Sequence, residues 1–95
     1  METVEISFAP KLHRFEAYID GKLVGILRYM TKDNVMSLVH TEVDPDYGGQ
    51  GVGNKLVQFA FDQARESEDT LINPVCPFAS AWVKKNPSYQ NIVVG

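Results

Sequence analysis

The octet Asp46-Tyr47-Gly48-Gly49-Gln50-Gly51-Val52-Gly53 divides the chain into a strand-rich half and a helix-bearing half. Four of its eight residues are glycine. Before it, Val35 to Val43 alternates apolar and polar residues, the signature of a strand. After it, Val52, Leu56, Phe59, Ala60 and Ala64 recur at helical spacing, so a helix is expected from about Gln50 to Glu66. A glycine-rich strand-to-helix loop leaves backbone N–H groups unshielded and sets them beside the positive end of a helix dipole. That arrangement suits a phosphate or pyrophosphate. The plainer alternative is a turn that only caps a helix, but four glycines in six residues cost local stability without a packing return.

The glycine spacing narrows the ligand. No Gly-x-x-x-x-Gly-Lys-Ser/Thr string is present, so the loop is not a Walker loop. Gly49-Gln50-Gly51-Val52-Gly53-Asn54 does not fit the Gly-x-Gly-x-x-Gly dinucleotide fingerprint, and the preceding strands do not alternate with helices. The rest of the chain reads as follows. Val4, Ile6 and Phe8 alternate, as do Phe15, Ala17 and Ile19, and Asp20-Gly21 makes a hairpin turn into a strand over Leu23 to Met30. Lys32-Asp33-Asn34 turns the chain into the strand over Val35 to Val43, which Asp44-Pro45 ends. Leu71-Ile72 reads as a short strand, Pro77 to Lys85 as a helix with proline in its first turn, and Tyr89 to Val94 as a last strand. The order is β-β-β-β-α-β-α-β, an α+β chain with a mostly antiparallel sheet.

Composition bounds the function. At 95 residues, 44% hydrophobic and 22% charged, the chain is expected to be one globular domain over residues 1–95. No apolar run approaches the roughly 20 residues of a membrane span, and the acidic start Met1-Glu2-Thr3-Val4-Glu5 is not a signal peptide. One cysteine excludes an internal disulfide and fits a reducing cytoplasm, the expected location. A net charge of −3 argues against a general nucleic-acid binder. His13, His40 and Cys76 show no metal-ligand spacing, so no metal is expected.

The string Val43-x-Pro45-x-x-Gly48-Gly49-Gln50-Gly51-Val52-Gly53-x-x-Leu56 resembles the acetyl-CoA pyrophosphate loop of the GNAT superfamily of N-acetyltransferases, written Gln/Arg-x-x-Gly-x-Gly/Ala. Gly51 and Gly53 fall on its two small positions, and Gly48 falls where the family has Gln or Arg. Small proteins of this fold also share the segment seen here as Pro74-Val75-Cys76-Pro77-Phe78-Ala79 and the ending Ser88-Tyr89-Gln90. The resemblance covers nearly the whole chain. It implies a truncated GNAT acyl-CoA N-acyltransferase fold, without the two helices that full-length members carry between their first two strands. Only Ala9-Pro10-Lys11-Leu12-His13 lies there.

The resemblance also implies a site. Acetyl-CoA is the expected cofactor. Gly48, Gly49, Gln50, Gly51, Val52, Gly53 and Asn54 would hold its pyrophosphate. The strand edge Thr41, Glu42, Val43 would pair with the pantetheine amides, and Cys76, Phe78, Ala79 and Trp82 would wall the arm. Cys76 precedes a helix, where a thiol's pKa is lowered, and would lie near the thioester as a candidate nucleophile. A buried, inert cysteine is the competing reading. Strand alternation places Leu38, His40 and Glu42 on one face. His40 is a candidate general base and Glu42 its orienting partner, against a half-buried structural histidine. The place where many relatives carry a catalytic glutamate is Ser37. Tyr89 resembles a late tyrosine that protonates the departing CoA thiolate, or packs the C-terminus onto the core. The expected function is acetyl transfer from acetyl-CoA to an amine, either small or on a protein, through an acetyl-cysteine. A non-catalytic acyl-CoA binding or sensor module is the alternative, and a structural domain that binds nothing is a third. Neither nucleic acid nor membrane is an expected partner.

Overall fold

The computed structural model describes residues 3–94. Five strands form one sheet in chain order: β1 Val4–Ala9, β2 Arg14–Ile19, β3 Lys22–Lys32, β4 Val35–Val43 and β5 Leu71–Pro74. The first four pair antiparallel and β4 pairs parallel with β5. The hairpin turns at Asp20-Gly21 and Asp33-Asn34 hold positive φ at both central residues, the geometry that matches strand twist. Between β1 and β2 there is only a 3₁₀ turn, Pro10–Leu12.

Helix α1, Val52–Glu66, lies across one face of the sheet. It begins at Val52, not Gln50, because Gly51 takes the N-cap and Gln50 stays in the loop. Its buried stripe is Val52, Leu56, Val57, Ala60, Phe61 and Ala64, packed on Phe15, Ala17, Leu27 and Leu38. Each of the larger side chains, Val, Leu and Phe, contributes on the order of 1.5–3 kcal/mol when buried. Phe61, fully buried, takes a place in this stripe, while Phe59 packs at its edge against Phe15. Helix α2, Pro77–Lys85, packs beside α1 on the same side, with Trp82 stacked on Phe61 at 5.1 Å.

Two sequence expectations change. The segment expected as a last strand coils into a 3₁₀ helix over Pro87–Ile92, and only Val93 bridges to Ile72. The cause is tertiary. Tyr89 donates a hydrogen bond to Asp62 Oδ1 at 2.6 Å, its ring packs on Phe61 and Trp82, and the Arg65 guanidinium lies 3.8 Å from the ring centre. Second, β4 does not alternate throughout. Arg28 pairs with His40 but Tyr29 pairs with Leu38, so Val39 is an extra residue in the ladder. This β-bulge turns Leu38 into the core and His40 and Glu42 to the opposite, exposed face. Leu38 therefore does not share the face of His40 and Glu42. No helix among the described residues is long and apolar enough to cross a membrane.

Candidate functional site

The site is built where the sheet stops closing. β5 pairs with β4 only over Val35 to Leu38. The last link is the Cys76 N–H donating to Leu38 O at 2.9 Å. Pro74 and the turn at Val75 then carry the chain into α2. Beyond that point β4 keeps β3 on one edge, from His40 to Val43, and has no strand on the other. The open edge of Val39 to Val43 thus offers unpaired backbone groups toward α2, a slot for an extended amide-bearing chain.

The glycine loop closes one end of that slot. Asp44 caps a short 3₁₀ turn, Pro45–Tyr47, by accepting from the Asp46 N–H at 2.9 Å. Gly51 follows with φ of +76° and caps α1 without a side-chain hydrogen bond. The first-turn N–H groups of Val52, Gly53 and Asn54 therefore have no side-chain cap, and the helix dipole favours an anion there. Val43, Tyr47, Gly48, Gly49, Gly51, Val52, Gly53, Asn54 and Phe78 enclose a cleft of about 460 Å³. Two of its glycines answer different needs. A Cβ on Gly51 would meet nothing, so the left-handed backbone is what requires glycine. A Cβ on Gly53 would stand 2.7 Å from Phe78 Cζ, so close packing of α2 on α1 is what requires it. Gly48 has an ordinary backbone and room for a side chain, so nothing local demands glycine in place of the family's Gln or Arg.

Cys76 sits at the other end. It is the N-cap of α2, and its Sγ accepts from the Ala79 N–H at 3.5 Å, the role serine usually fills. It is a free thiol, buried at 6% exposure, and Thr41 Oγ1 lies 3.5 Å from its sulfur. Phe78 is half-exposed and faces the cleft, whereas Trp82 is buried, mostly as core. Ala79 is fully buried behind the sulfur. Tyr89 is tied to Asp62, which raises its pKa, and holds the C-terminal turn down.

His40 and Glu42 come together, as expected, with Nε2 3.3 Å from Oε1. They do so on the outer face of the sheet, opposite the side on which Thr41 meets Cys76. Also on that face, Arg14 binds Glu16 through Nε at 2.8 Å, and Tyr18 donates to the other Glu16 oxygen at 2.8 Å. The Tyr18 hydroxyl first and Arg14 second hold the Glu16 carboxyl below its ordinary value, and Glu16 in turn raises Tyr18. Sequence reading missed this cluster because no spacing rule singles out alternate polar residues on a strand whose other face is core. It also missed the Thr41–Cys76 contact, which joins residues 35 apart.

Comparison with known proteins gives the family. A family model described as GCN5-related N-acetyl-transferase matches residues 14–92. A GCN5-like putative N-acetyltransferase from Staphylococcus aureus is 30% identical, with a TM-score of 0.74 over 100% of this chain and 92% of that one. The fold is also that of the ribosomal-protein-S18-alanine N-acetyltransferase of Escherichia coli, at 15% identity, TM-score 0.66, and coverage of 90% and 76%. The IAA acetyltransferase of Bacillus cereus is similar at 15% identity, TM-score 0.60, and coverage of 90% and 75%. No curated protein matches the sequence. With residues 14–92 matched by the family model and a 30% identical relative covered over the whole chain, the chain belongs to the GCN5-related N-acetyltransferase family.

Proposed function

We propose that this protein binds acetyl-CoA and transfers its acetyl group to an amine. The observation that carries the reading is the slot itself: an anion cradle at one end, an open strand edge along it, and the Cys76 thiol at the other end beside Thr41. The N–H groups of Val52, Gly53 and Asn54 and the Gly48–Gly51 loop hold the pyrophosphate. The edge of Val39 to Val43 pairs with the pantetheine amides. The thioester then lies against Cys76. The family's usual glutamate position holds Ser37, so another group starts the chemistry.

In this scheme the Cys76 sulfur, as thiolate, attacks the acetyl carbonyl carbon. The new C–S bond forms, the bond to the CoA sulfur breaks, and CoA leaves as thiolate, taking up the proton that Cys76 gave. An amine then attacks the acetyl-cysteine, the amide forms, and the Cys76 sulfur is released. The proton that the amine loses passes to solvent, since His40 and Glu42 lie on the face of the sheet opposite Cys76. Incubation with acetyl-CoA followed by intact mass tests this: one adduct of about 42 Da is expected on Cys76 and none on Cys76→Ala, which still binds CoA. Binding with no adduct and no transfer to any amine favours the second reading, a non-catalytic acyl-CoA module. Two features speak for that alternative: Ser37 and the three-residue turn where larger relatives build an acceptor pocket.

A further inference from the structure

A groove of about 350 Å³ lies along the seam between α1 and α2 and includes Asn54, Gln58, Phe78, Trp82 and Lys85. It shares Asn54 and Phe78 with the cradle cleft, so the two are neighbours on one seam. Helical spacing orders the walls. Asn54 and Gln58 are one turn apart on α1, and Phe78, Trp82 and Lys85 follow one another down α2. Lys85 therefore stands about 10 Å along the α2 axis from Phe78, the wall common to both clefts. The two clefts differ in charge. No charged side chain lines the cradle cleft, so an anion there meets no cation. The groove is lined by one charged residue, Lys85, and by no carboxylate. Lys85 is exposed and in no ion pair among the described residues. The negative end of the α2 dipole favours a cation in this last turn, but Lys84 meets that need equally and does not line the groove.

We propose that this groove takes the 3′-phosphorylated ribose of CoA, and that Lys85 is the residue that recognises the 3′-phosphate. One ribose separates that phosphate from the pyrophosphate. With the pyrophosphate in the cradle, the seam leads the second phosphate toward the Lys85 ammonium, a point charge of the kind that suits it. Asn54, exposed on the border of both clefts, offers its amide to the ribose between them. The cradle by itself accepts any compound with a pyrophosphate, and Lys85 makes the protein prefer the 3′-phosphorylated form. Because Lys85 is exposed, that preference is severalfold and weakens with salt. The inference rests on the acetyl-CoA reading for the place of the pyrophosphate.

The test is titration calorimetry with CoA and with 3′-dephospho-CoA. At low salt the protein should bind CoA about fivefold or more tighter than the dephospho compound. Lys85→Gln should bring the two to near parity, by weakening CoA and leaving dephospho-CoA where it was. Lys84→Gln removes an equal charge one residue away and should keep the preference. Added salt should narrow the preference of the unaltered protein and leave Lys85→Gln at parity. Equal binding of the two compounds, a preference that survives Lys85→Gln, or one that Lys84→Gln removes as fully would overturn the proposal while leaving the acetyl-CoA reading in place. If neither compound binds, the acetyl-CoA reading falls and this inference falls with it.

Discussion

The two halves of β4 are one strand with two fates. From Val35 to Leu38 it is paired on both edges, and Leu38 is fully buried beneath α1. From His40 to Val43 it is paired on one edge only, with Thr41 against a thiol and His40 and Glu42 in solvent. The bulge at Val39 separates them. The first half is held by packing that leaves no choice of conformation. The second half leaves backbone groups unpaired that a protein built for stability alone would cover. The cost of leaving that edge open is met by the well-packed half.

Breaking the first half should have the largest effect. Leu38→Ala removes a fully buried side chain and is expected to cost about 2–5 kcal/mol, lowering the melting temperature by more than about 10 °C. Thr41→Ala, three residues on, should change stability by less than about 0.5 kcal/mol yet slow acetylation of Cys76 several-fold. Thermal melts and adduct kinetics on the two variants read the contrast directly. Equal melting losses would mean that the second half is ordinary core.

The glycine pair in the cradle gives the next effect. Gly51→Ala forces a Cβ into a left-handed backbone and should cost about 1–2 kcal/mol while leaving α1 and α2 in contact. Gly53→Ala instead drives against Phe78, which is half-exposed and can swing aside. Phe78→Ala should therefore relieve Gly53→Ala and leave Gly51→Ala unrelieved, a difference that a double-mutant cycle on melting temperature measures.

How much of this was legible follows from how local each cause is. The glycine loop, the turns at Asp20-Gly21 and Asp33-Asn34, and the Cys76 cap read from a few neighbouring residues, and they stand where the sequence puts them. The bulge at Val39 has no local signature, since Leu38 must face α1 while His40 pairs with Arg28, and only the assembled sheet imposes both. The last strand failed for a similar reason. Its alternation is real, but Tyr89 is claimed by Asp62 from 27 residues away, and that hydrogen bond and the aromatic packing around it outweigh a ladder. The outer-face polar cluster was invisible for want of register.

Smaller effects come from the polar cluster and the loop. The Glu16 carboxyl, held low by Tyr18 and then Arg14, stabilises the fold fully above its unfolded value of 4.5, and that contribution is lost as pH falls through the lower folded value. Glu16→Gln should thus lose most stability near about pH 6 and little near about pH 3, as read by urea unfolding at both. Should the variant lose as much in acid as at neutrality, the cluster acts through packing alone. Gly48→Arg is accommodated by the backbone and should leave the melting temperature within about a degree or two, while tightening acetyl-CoA by adding a cation beside the proposed phosphate cradle.

The central claim is that acetyl-CoA occupies the slot between the cradle and the open half of β4. Amide hydrogen exchange with and without saturating acetyl-CoA tests it most directly. The account predicts slowed exchange in two segments, Val39 to Val43 and Gly51 to Asn54, and about 2.7 kcal/mol of added stability at 100 times the dissociation constant. It predicts little change at the β1–β2 hairpin. Protection spread evenly over the chain, or absent from both segments despite binding, would contradict it.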